Sequence, residues 1–309
     1  MKSGHLSLRL LALFLQLFST SLLAQDLGDS TTVVKVGMFI TRIINLDTRA
    51  QSFEAEFYLW LRWKGKYSAE KYEFVNAKSI ERLYEVLEED DHGLKYLSVK
   101  IRGVFLNHMD VSQYPQDRHT LSIVIEDYNW IQTRLRYEID SASTSMAIRQ
   151  NAGEWRLKFI EPVVTSNLFP SDKEYYSSFQ AKVEATRSLA PFIVKILIPI
   201  IIVVLMSMLT FFIPAKEIET QVALGATALL TVIALKFVIA DGLPDVDYLT
   251  NADILLIGSY LIVFLALCES VFTHVLYTKG KEKVSRKIDK ACRIVFPTSY
   301  TVFLLILFF

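Results

Sequence analysis

Two acidic residues and a threonine fall on one face of an apolar segment, residues 219–241, which reads ETQVALGATALLTVIALKFVIAD. At about 100° per helical residue, a sector about 80° wide contains both acids. This 219–241 stripe consists of Glu219, Ala223, Thr227, Leu230, Ala234, Phe237 and Asp241. Rings of carboxylates with a hydrophobic constriction between them attract cations to a pore and control their passage. The spacing therefore predicts that the stripe faces water, with copies of the chain arranged around an axis.

The 219–241 segment is one of four apolar segments that follow residue 190. A helix needs about 20 apolar residues to cross a membrane, and the fourth segment is the shortest. We predict a helical membrane domain over 191–309, with helices at 192–213, 219–241, 252–277 and 290–309. The formal net charge of the chain is zero, which argues against nucleic acid as a partner.

The first 24 residues have the features of a secretory signal. Lys2 and Arg9 accompany the apolar run LLALFLQLF, and Ala24 is a possible cleavage point. An uncleaved anchor is the alternative. A signal would place residues 25–190 outside the cytoplasm. The loop charges agree with this, because 278–290 contains six Lys or Arg residues, whereas 241–253 contains four Asp residues and no Lys or Arg.

The exported segment has the alternation of β-strands. In SFEAEFYLWLRW, residues 52–63, large apolar side chains occupy every second position. TLSIVIED and SSFQAKVEA repeat the pattern, and short strands separated by turns predict a β-sandwich over 25–190. The two cysteines, Cys268 and Cys292, both lie in membrane segments, so no disulfide is expected in this domain.

No residue pattern supports an enzyme. The five histidines lack metal-ligand spacing, and the chain has no G-x-S-x-G, P-loop or G-x-G-x-x-G motif. We therefore expect no catalytic residue, cofactor or resident metal. The acidic run Glu85–Asp91 is interpreted as a solvated turn, and a divalent-cation site remains the alternative there.

A family resemblance becomes specific at MDVSQYPQDRHTL, residues 109–121. Asp110, Tyr114, Pro115 and Asp117 match the signature loop of the pentameric ligand-gated ion channels, the Cys-loop receptor superfamily. The two cysteine positions hold Asn107 and Leu121, which is similar to the prokaryotic members that lack the disulfide. Further segments also resemble the family. They are Arg187 with Pro199, GLP at 242–244, CRIVFP at 292–297 and a link of about a dozen residues between the last two helices.

The resemblance implies an architecture and a function. It implies an extracellular, immunoglobulin-like β-sandwich followed by a four-helix transmembrane bundle, assembled as a homopentamer in a bacterial inner membrane with the sandwich in the periplasm. The 219–241 stripe would then line the pore. Glu219 at the inner mouth would favour Na⁺ and K⁺, although pairing of Glu219 with Lys216 would leave the path neutral. Leu230, Ala234 and Phe237 would form a hydrophobic gate.

The resemblance also assigns coupling and agonist residues. Asp47, Pro115, Asp117, Arg187 and Pro244 are the expected link between the sandwich and the pore. Asp117 and Arg187 are the candidates for a salt bridge in this link, and Asp47 could be its third member. The expected aromatic agonist site consists of Tyr128, Trp130, Tyr175 and Tyr176, faced by Tyr58 of a neighbouring subunit. The Trp-x-Pro-acid motif of the family is absent, so the agonist is left open between a small amine, a carboxylate and protons.

One alternative of a different class is a non-conducting periplasmic sensor with four membrane helices. Such a protein would need a cytoplasmic surface for signalling, and it leaves the 219–241 stripe unexplained. Replacing Leu230 or Phe237 by a small polar residue distinguishes the two, because only a channel would open more easily.

Overall fold

The computed structural model describes residues 30–147 and 151–308; the predicted signal, residues 1–24, lies outside them. Two β-sheets form the N-terminal half. The first sheet contains β1 Thr32–Asp47, β2 Ser52–Trp63, β4 Ala77–Glu89, β5 Lys95–Leu106, β7 Leu135–Ile139 and β8 Ser145–Met146. The second contains β3 Tyr72–Phe74, β6 Arg118–Asp127, β9 Asn151–Ala152, β10 Trp155–Phe169 and β11 Glu174–Arg187. The strand order in the first sheet is β4-β5-β2-β1-β7, with β8 beside β1, and the order in the second is β3-β6-β11-β10-β9.

The predicted alternation produces the core of this sandwich. On β2 the apolar side chains at every second position, from Phe53 to Trp63, are at most 2% exposed. The same period of two buries Leu121, Ile123 and Ile125 on β6. Since successive side chains of a strand point to opposite faces, each strand contributes one apolar face to the layer between the sheets. The predicted β-sandwich is confirmed.

Four helices follow the sandwich, and each is long and apolar enough to cross a membrane. They are α1 Leu189–Phe212, α2 Ile218–Asp241, α3 Asn251–Thr278 and α4 Glu282–Phe308. In α1, a π-helical turn over Ile193–Leu197 precedes Pro199, which lacks the N–H needed for regular helical bonding. At the start of α3, Thr250 and Asp253 form a capping box.

The start of α4 differs from the prediction. We expected this helix to begin at residue 290, after a link of about a dozen residues, but it begins at Glu282, shortly after α3 ends at Thr278. The N–H groups of Val284 and Ser285 bond to the Lys281 carbonyl, at 3.0 and 3.2 Å, and start the helix. Charged residues such as Lys and Arg are good helix formers, so the helix continues beyond the apolar run on which the prediction rested.

The helices pack into a bundle with α2 against α1 and α3, and with α4 against α3 on the outside. Val111, from the loop before β6, is fully buried among the apolar side chains of this bundle. The ring of Tyr114, from the same loop, meets Phe192 of α1 edge-on, with ring centroids 5.6 Å apart. The sandwich therefore inserts one of its loops into the end of the helical bundle.

Candidate functional site

The 219–241 stripe lies on the face of α2 that the rest of the chain leaves uncovered. All seven of its residues are exposed, including Leu230 at 67% and Phe237 at 70%. The buried residues of α2 lie about 180° away at about 100° per residue and pack against the neighbouring helices. They are Gln221, Gly225, Ala228, Val232 and Ile239. The buried face of α2, which is mostly small and apolar, therefore packs against the other helices of the same chain. The acids, the hydroxyl and the bulky residues of the stripe point outward.

Polar groups of the stripe have few partners within the chain. The Thr227 hydroxyl donates to the Ala223 carbonyl at 2.8 Å, which leaves its oxygen lone pairs exposed. Asp241 accepts an ion-pair contact from Arg49 at 3.2 Å, and both side chains are largely exposed. Among the described residues, neither Glu219 nor Lys216 has an ion-pair partner, and the two do not pair with each other. The carboxylate of Glu219 therefore faces outward unneutralised.

A second polar group lies where the sandwich meets the helices. Arg187, at the end of β11, binds both carboxylate oxygens of Asp117, at 2.7 and 3.0 Å. Its remaining terminal nitrogen contacts Glu154, and His119 lies 2.7 Å from Asp117. Burial opposes ionisation of Asp117, but hydrogen bonds from His119 and Arg187 outweigh it and hold the pKa of Asp117 below its ordinary value. Two aromatic rings, Tyr114 and Trp155, face the guanidinium.

The other predicted coupling residues surround this ion cluster. Asp47 accepts a hydrogen bond from the Ala50 N–H at 2.8 Å rather than from Arg187. It lines a cavity of about 330 Å³ that Arg187 and Glu154 also line. The other side chains bonded to the Asp117–Arg187 pair are therefore Glu154 and His119, neither of which the sequence prediction included. Pro115, whose peptide bond with Tyr114 is cis, lies against α1 and α4.

Two loops of the sandwich hold the linker between α2 and α3, which contains Pro244. From the β1–β2 turn, the Thr48 hydroxyl donates to the Gly242 carbonyl at 3.0 Å. From the loop before β6, the Val111 N–H donates to the Tyr248 hydroxyl at 3.1 Å, and the Ser112 carbonyl accepts from the Asn251 N–H at 3.1 Å. These contacts join residues more than a hundred positions apart, so no local pattern could have indicated them.

Gln51 ties the two sandwich loops to each other. Its side-chain amide donates to the Met109 carbonyl at 3.2 Å and accepts from the Met109 N–H at 2.6 Å. Its own carbonyl accepts from the Asn107 N–H at 2.9 Å. The two loops are therefore hydrogen-bonded to each other, and both contact the α2–α3 linker.

The aromatic agonist candidates occupy two regions of the sandwich. Tyr128, in the loop after β6, and Tyr175, at the start of β11, are more than half exposed. The two segments meet where the Gln132 N–H donates to the Tyr175 carbonyl at 2.7 Å. A cavity of about 500 Å³ lies beside Tyr175. Trp130 instead packs against Tyr67, with centroids 4.7 Å apart. On the other sheet, the ring of Tyr58 lies parallel to that of Trp60.

Tyr176 completes the set of agonist candidates. Its hydroxyl donates to Asp172 at 3.1 Å, and its ring packs edge-on against Phe169. Within one chain, the segments that carry Tyr128 and Tyr175 therefore lie side by side. Tyr58 lies on β2 of the first sheet, whereas Tyr175 lies on β11 of the second.

A buried carboxylate begins the loop that carries Tyr128 and Trp130. Asp127 is 1% exposed. One of its oxygens accepts from the N–H groups of Asn129 and Trp130, at 2.8 and 3.0 Å. Among the described residues, its other oxygen and the hydroxyls of Tyr72 and Tyr137 are buried without hydrogen-bond partners. Burial raises the pKa of Asp127 to about 6, because the two N–H bonds offset only part of the desolvation.

The acidic run Glu85–Asp91 forms the end of β4 and the following turn. The Asp90 carboxylate accepts hydrogen bonds from the N–H groups of His92 and Leu94, at 2.9 and 2.8 Å. Gly93 adopts a φ of 75°, in the left-handed region that glycine tolerates. The described residues contain no group of three or more His, Cys, Asp or Glu side chains arranged to hold a metal ion.

The sequence is similar to those of known ion channels and receptor subunits. The sequence profile described as the neurotransmitter-gated ion-channel transmembrane region matches residues 196–285. The chain is 22% identical over 307 residues to a proton-gated ion channel of Gloeobacter violaceus, covering 92% of this chain and 84% of that protein. It is 25% identical over 226 residues to the human gamma-aminobutyric acid receptor subunit rho-3, covering 72% of this chain and 48% of the subunit. Against the chicken gamma-aminobutyric acid receptor subunit beta-4, the identity is 28% over 194 residues, covering 59% of this chain and 38% of the subunit.

Proposed function

Because the chain belongs to the pentameric ligand-gated ion-channel superfamily and is a multi-pass membrane protein, we propose that it is one subunit of a homopentameric, cation-selective channel. In this assembly α2 of each copy faces a common axis, and the 219–241 stripe lines the pore. The sandwich is the stimulus-sensing domain on the outer side of a bacterial inner membrane.

The observation that carries this proposal is the orientation of α2. Leu230 and Phe237 are the bulky members of the stripe and are about two-thirds exposed in the single chain, together with Glu219 and Asp241. Lipid would accept the leucine and phenylalanine but would give no reason for a carboxylate at each end of the same face. An axial water-filled pore accommodates both kinds of side chain, since acids belong at its mouths and apolar residues at a constriction.

Selectivity for cations follows from the charge at the two mouths. Five copies of Glu219 form a ring without a cationic partner, and Asp241 supplies a second ring that Arg49 only partly neutralises through an exposed pair. The hydroxyl oxygens of Thr227 replace part of the hydration shell of a passing ion. Rings of Leu230 and Phe237 close the path by excluding water.

Opening is driven by the contacts between the sandwich and the α2–α3 linker. Gln51 joins the loops that bear Thr48 and Val111, and these loops contact Gly242 and Tyr248 at the top of α2 and α3. The Asp117–Arg187 pair fixes the end of β11, from which α1 continues. A shift of the sandwich therefore moves both α1 and the linker around Pro244, which gives the stimulus a physical route to the pore.

The stimulus is a small ligand or a change of pH acting on the sandwich. Tyr128, in the loop after β6, and Tyr175, at the adjoining start of β11, present exposed rings that suit a small cationic ligand. Tyr58 of the neighbouring subunit would supply the opposite wall. Asp127 lies at the start of the same region with a pKa of about 6. Na⁺ and K⁺ are the permeant ions in either case.

Cysteine accessibility tests the pore assignment. Cys268 and Cys292 are first replaced by serine, and single cysteines are then introduced at Thr227 in the stripe, at Val222 on an exposed flank of α2, and at Ala228 on its buried face. A charged thiol reagent should block current through the T227C channel and leave the V222C and A228C channels conducting. Block of V222C with an unaffected T227C channel would place a different face of α2 at the pore.

A further inference from the structure

Two carboxyl groups meet inside the helical bundle, where α3 packs against α4. Glu269 lies on α3, about two and a half turns before that helix ends at Thr278, and Asp289 lies on α4, about two turns after its start at Glu282. The two carboxyl groups are within hydrogen-bonding contact of each other, and Asp289 is 6% exposed. Ionisable side chains are costly inside a membrane domain and mark candidate functional sites there. Neither residue belongs to the pore stripe or to the coupling contacts.

The contact between Glu269 and Asp289 lacks a hydrogen-bond donor. Among the described residues, Oε1 of Glu269 and Oδ1 of Asp289 are buried without a hydrogen-bond partner. The Thr273 hydroxyl lies beside Asp289 but donates to backbone carbonyls of its own helix. The Cys292 thiol, which contacts Glu269, is only a weak donor. Because buried polar atoms ordinarily have a partner, a donor is missing from this contact.

The basic side chains nearest the pair are bonded elsewhere. Arg293, one turn after Asp289 on α4, lies near enough to attract its carboxylate, but the guanidinium donates to the Phe211 carbonyl at 3.1 Å. The ring of His274, on the next turn of α3, is bonded to the Ala215 carbonyl at 2.7 Å. In residues 30–147 and 151–308, neither carboxyl group forms an ion pair. If both carboxyl groups were ionised, their mutual repulsion would therefore be only partly offset.

One proton would supply the missing donor and remove one of the two charges. An ionised carboxylate only accepts hydrogen bonds, whereas a protonated carboxyl group also donates one. Two carboxyl groups in contact away from bulk water do not ionise together, because like charges repel strongly in such surroundings. With a proton on one group, the O–H of that group donates to the other, and the pair carries a single negative charge.

A cavity of about 550 Å³ leads to the pair from the end of the bundle that is farther from the sandwich. Asp289, Ser285 and Tyr277 are among its lining residues. Ser285 lies one turn before Asp289 on α4 and is 1% exposed, and its hydroxyl has no hydrogen-bond partner in the described part of the chain. Water that enters the cavity can bond to this hydroxyl and to Asp289. The cavity therefore gives a proton a route between the solution and the pair.

The surroundings of the pair favour a proton over a metal ion. Lys216 and Lys290 line the cavity and oppose the entry of a metal cation. Arg286 also lines it but is paired with Glu282 at 2.6 Å. The described residues contain no group of three or more His, Cys, Asp or Glu side chains arranged to hold a metal ion. A proton needs no such set of ligands.

We propose that Glu269 and Asp289 bind one proton between them and exchange it, through the cavity, with the solution at the end of the bundle farther from the sandwich. In the bound form, one carboxyl group donates to the other and ties α4 to α3. Transfer of the proton to water in the cavity leaves two adjacent buried anions, which weaken the contact between the two helices. The site is separate from the stimulus proposed for the sandwich, and its test does not depend on channel activity.

Infrared spectroscopy of the purified full chain detects this proton directly, because a protonated carboxyl group has a carbonyl band that a carboxylate lacks. The band should be present in the wild type at neutral pH and lost in Glu269→Gln with Asp289→Asn, whose paired amides keep the shape and the hydrogen bond. Glu282→Gln is the matched control, since Glu282 is exposed and paired with Arg286, and it should keep the band. An unchanged carbonyl band in the double variant would overturn the proposal.

Thermal unfolding tests whether the proton stabilises the fold. As the pH is raised, the unfolding midpoint of the wild type should fall further than that of the double variant, because only the wild type loses the shared proton. The Glu282→Gln control should follow the wild type. The same pH dependence in the wild type and the double variant would contradict a shared proton at this contact.

A salt series separates a proton from a metal ion. At constant pH and ionic strength, replacing choline by Na⁺, K⁺, Mg²⁺ or Ca²⁺ should leave the difference in midpoint between the wild type and the double variant unchanged. A rise in the wild-type midpoint with one of these ions, absent from the double variant, would assign the pair to that metal ion and overturn the proton assignment.

Discussion

Replacing Asp127 by asparagine should stabilise the protein at neutral pH and have little effect in acid. Asparagine keeps the side-chain oxygen that accepts from the N–H groups of Asn129 and Trp130. It also removes the negative charge whose second oxygen is buried without a partner among the described residues. The variant therefore imitates the protonated form of Asp127 at every pH.

The magnitude follows from the pKa. The pKa of Asp127 is about 6 in the folded chain, against an ordinary value of 3.8, and this difference corresponds to about 3 kcal/mol. The folded state holds the proton more tightly than the unfolded state, so wild-type stability rises as the pH falls from above 6 to below 4. The D127N variant would have no such dependence, and its advantage of up to about 3 kcal/mol at about pH 8 should vanish near about pH 4.

The assay compares the thermal unfolding midpoints of wild-type protein and D127N across this pH range, so that all other titrating groups cancel. Asp110→Asn is a matched control with the opposite sign. Asp110 accepts from the Ser112 N–H, which lowers the pKa of Asp110, so D110N should be less stable than wild type at neutral pH. If D127N were also less stable than wild type at neutral pH, the fold would stabilise the ionised form of Asp127. The buried, unpaired oxygen would then not determine the pKa of Asp127.

The titration of Asp127 should also affect the region proposed to sense the stimulus. Protonation of Asp127 weakens its hold on the N–H groups of Asn129 and Trp130, which begin the loop that contacts Tyr175 through Gln132. Acidification to about pH 6 should therefore alter the loops that carry the agonist candidates, and D127N should shift the pH dependence of any current.

Four other substitutions test the gate and the junction. Leu230→Ser should increase the open probability in single-channel recordings because a hydroxyl ring weakens dewetting at the constriction, and an unchanged open probability would count against Leu230 as gate. Asp117→Asn should lower stability by about 3–5 kcal/mol, since it leaves the buried Arg187 with only the partly exposed Glu154 as an anionic partner. Glu154→Gln, at a side chain 37% exposed, should cost less than about 1 kcal/mol. Comparable thermal midpoints for the two variants would contradict this ranking. Gln51→Ala should reduce the maximal current while α2 accessibility in the closed state stays unchanged, because it separates the two loops that hold the α2–α3 linker.

The elements were largely predictable because their patterns are local. The period of two in residues 52–63 predicts a strand from the burial of one face alone. The 219–241 stripe follows from the angular spacing of residues in a helix alone. The first three membrane helices accordingly begin and end within three residues of the predicted bounds. The start of α4 was missed because hydropathy marks where a helix is apolar, whereas residues 282–290 are helical and polar.

The contacts of the junction were less predictable because they join distant parts of the chain. Arg187 and Asp117 could be paired only through the family resemblance. Nothing local marks Glu154 as a partner of Arg187, or Gln51 and Tyr248 as partners of the loop before β6. The resemblance did not indicate the hydrogen-bond partner of Asp47. Its carboxylate accepts from the nearby Ala50 N–H rather than from Arg187.

The reversal potential of the purified channel under a NaCl gradient tests the proposed function most directly. The chain is reconstituted in liposomes, pH is stepped from alkaline to acid, and wild type is compared with Glu219→Gln. Current through the wild-type channel should reverse near the Na⁺ equilibrium potential, and E219Q should shift the reversal toward zero because the inner carboxylate ring is lost. Reversal near the Cl⁻ potential in the wild type, or an unchanged value in E219Q, would contradict a cation pore lined by the 219–241 stripe.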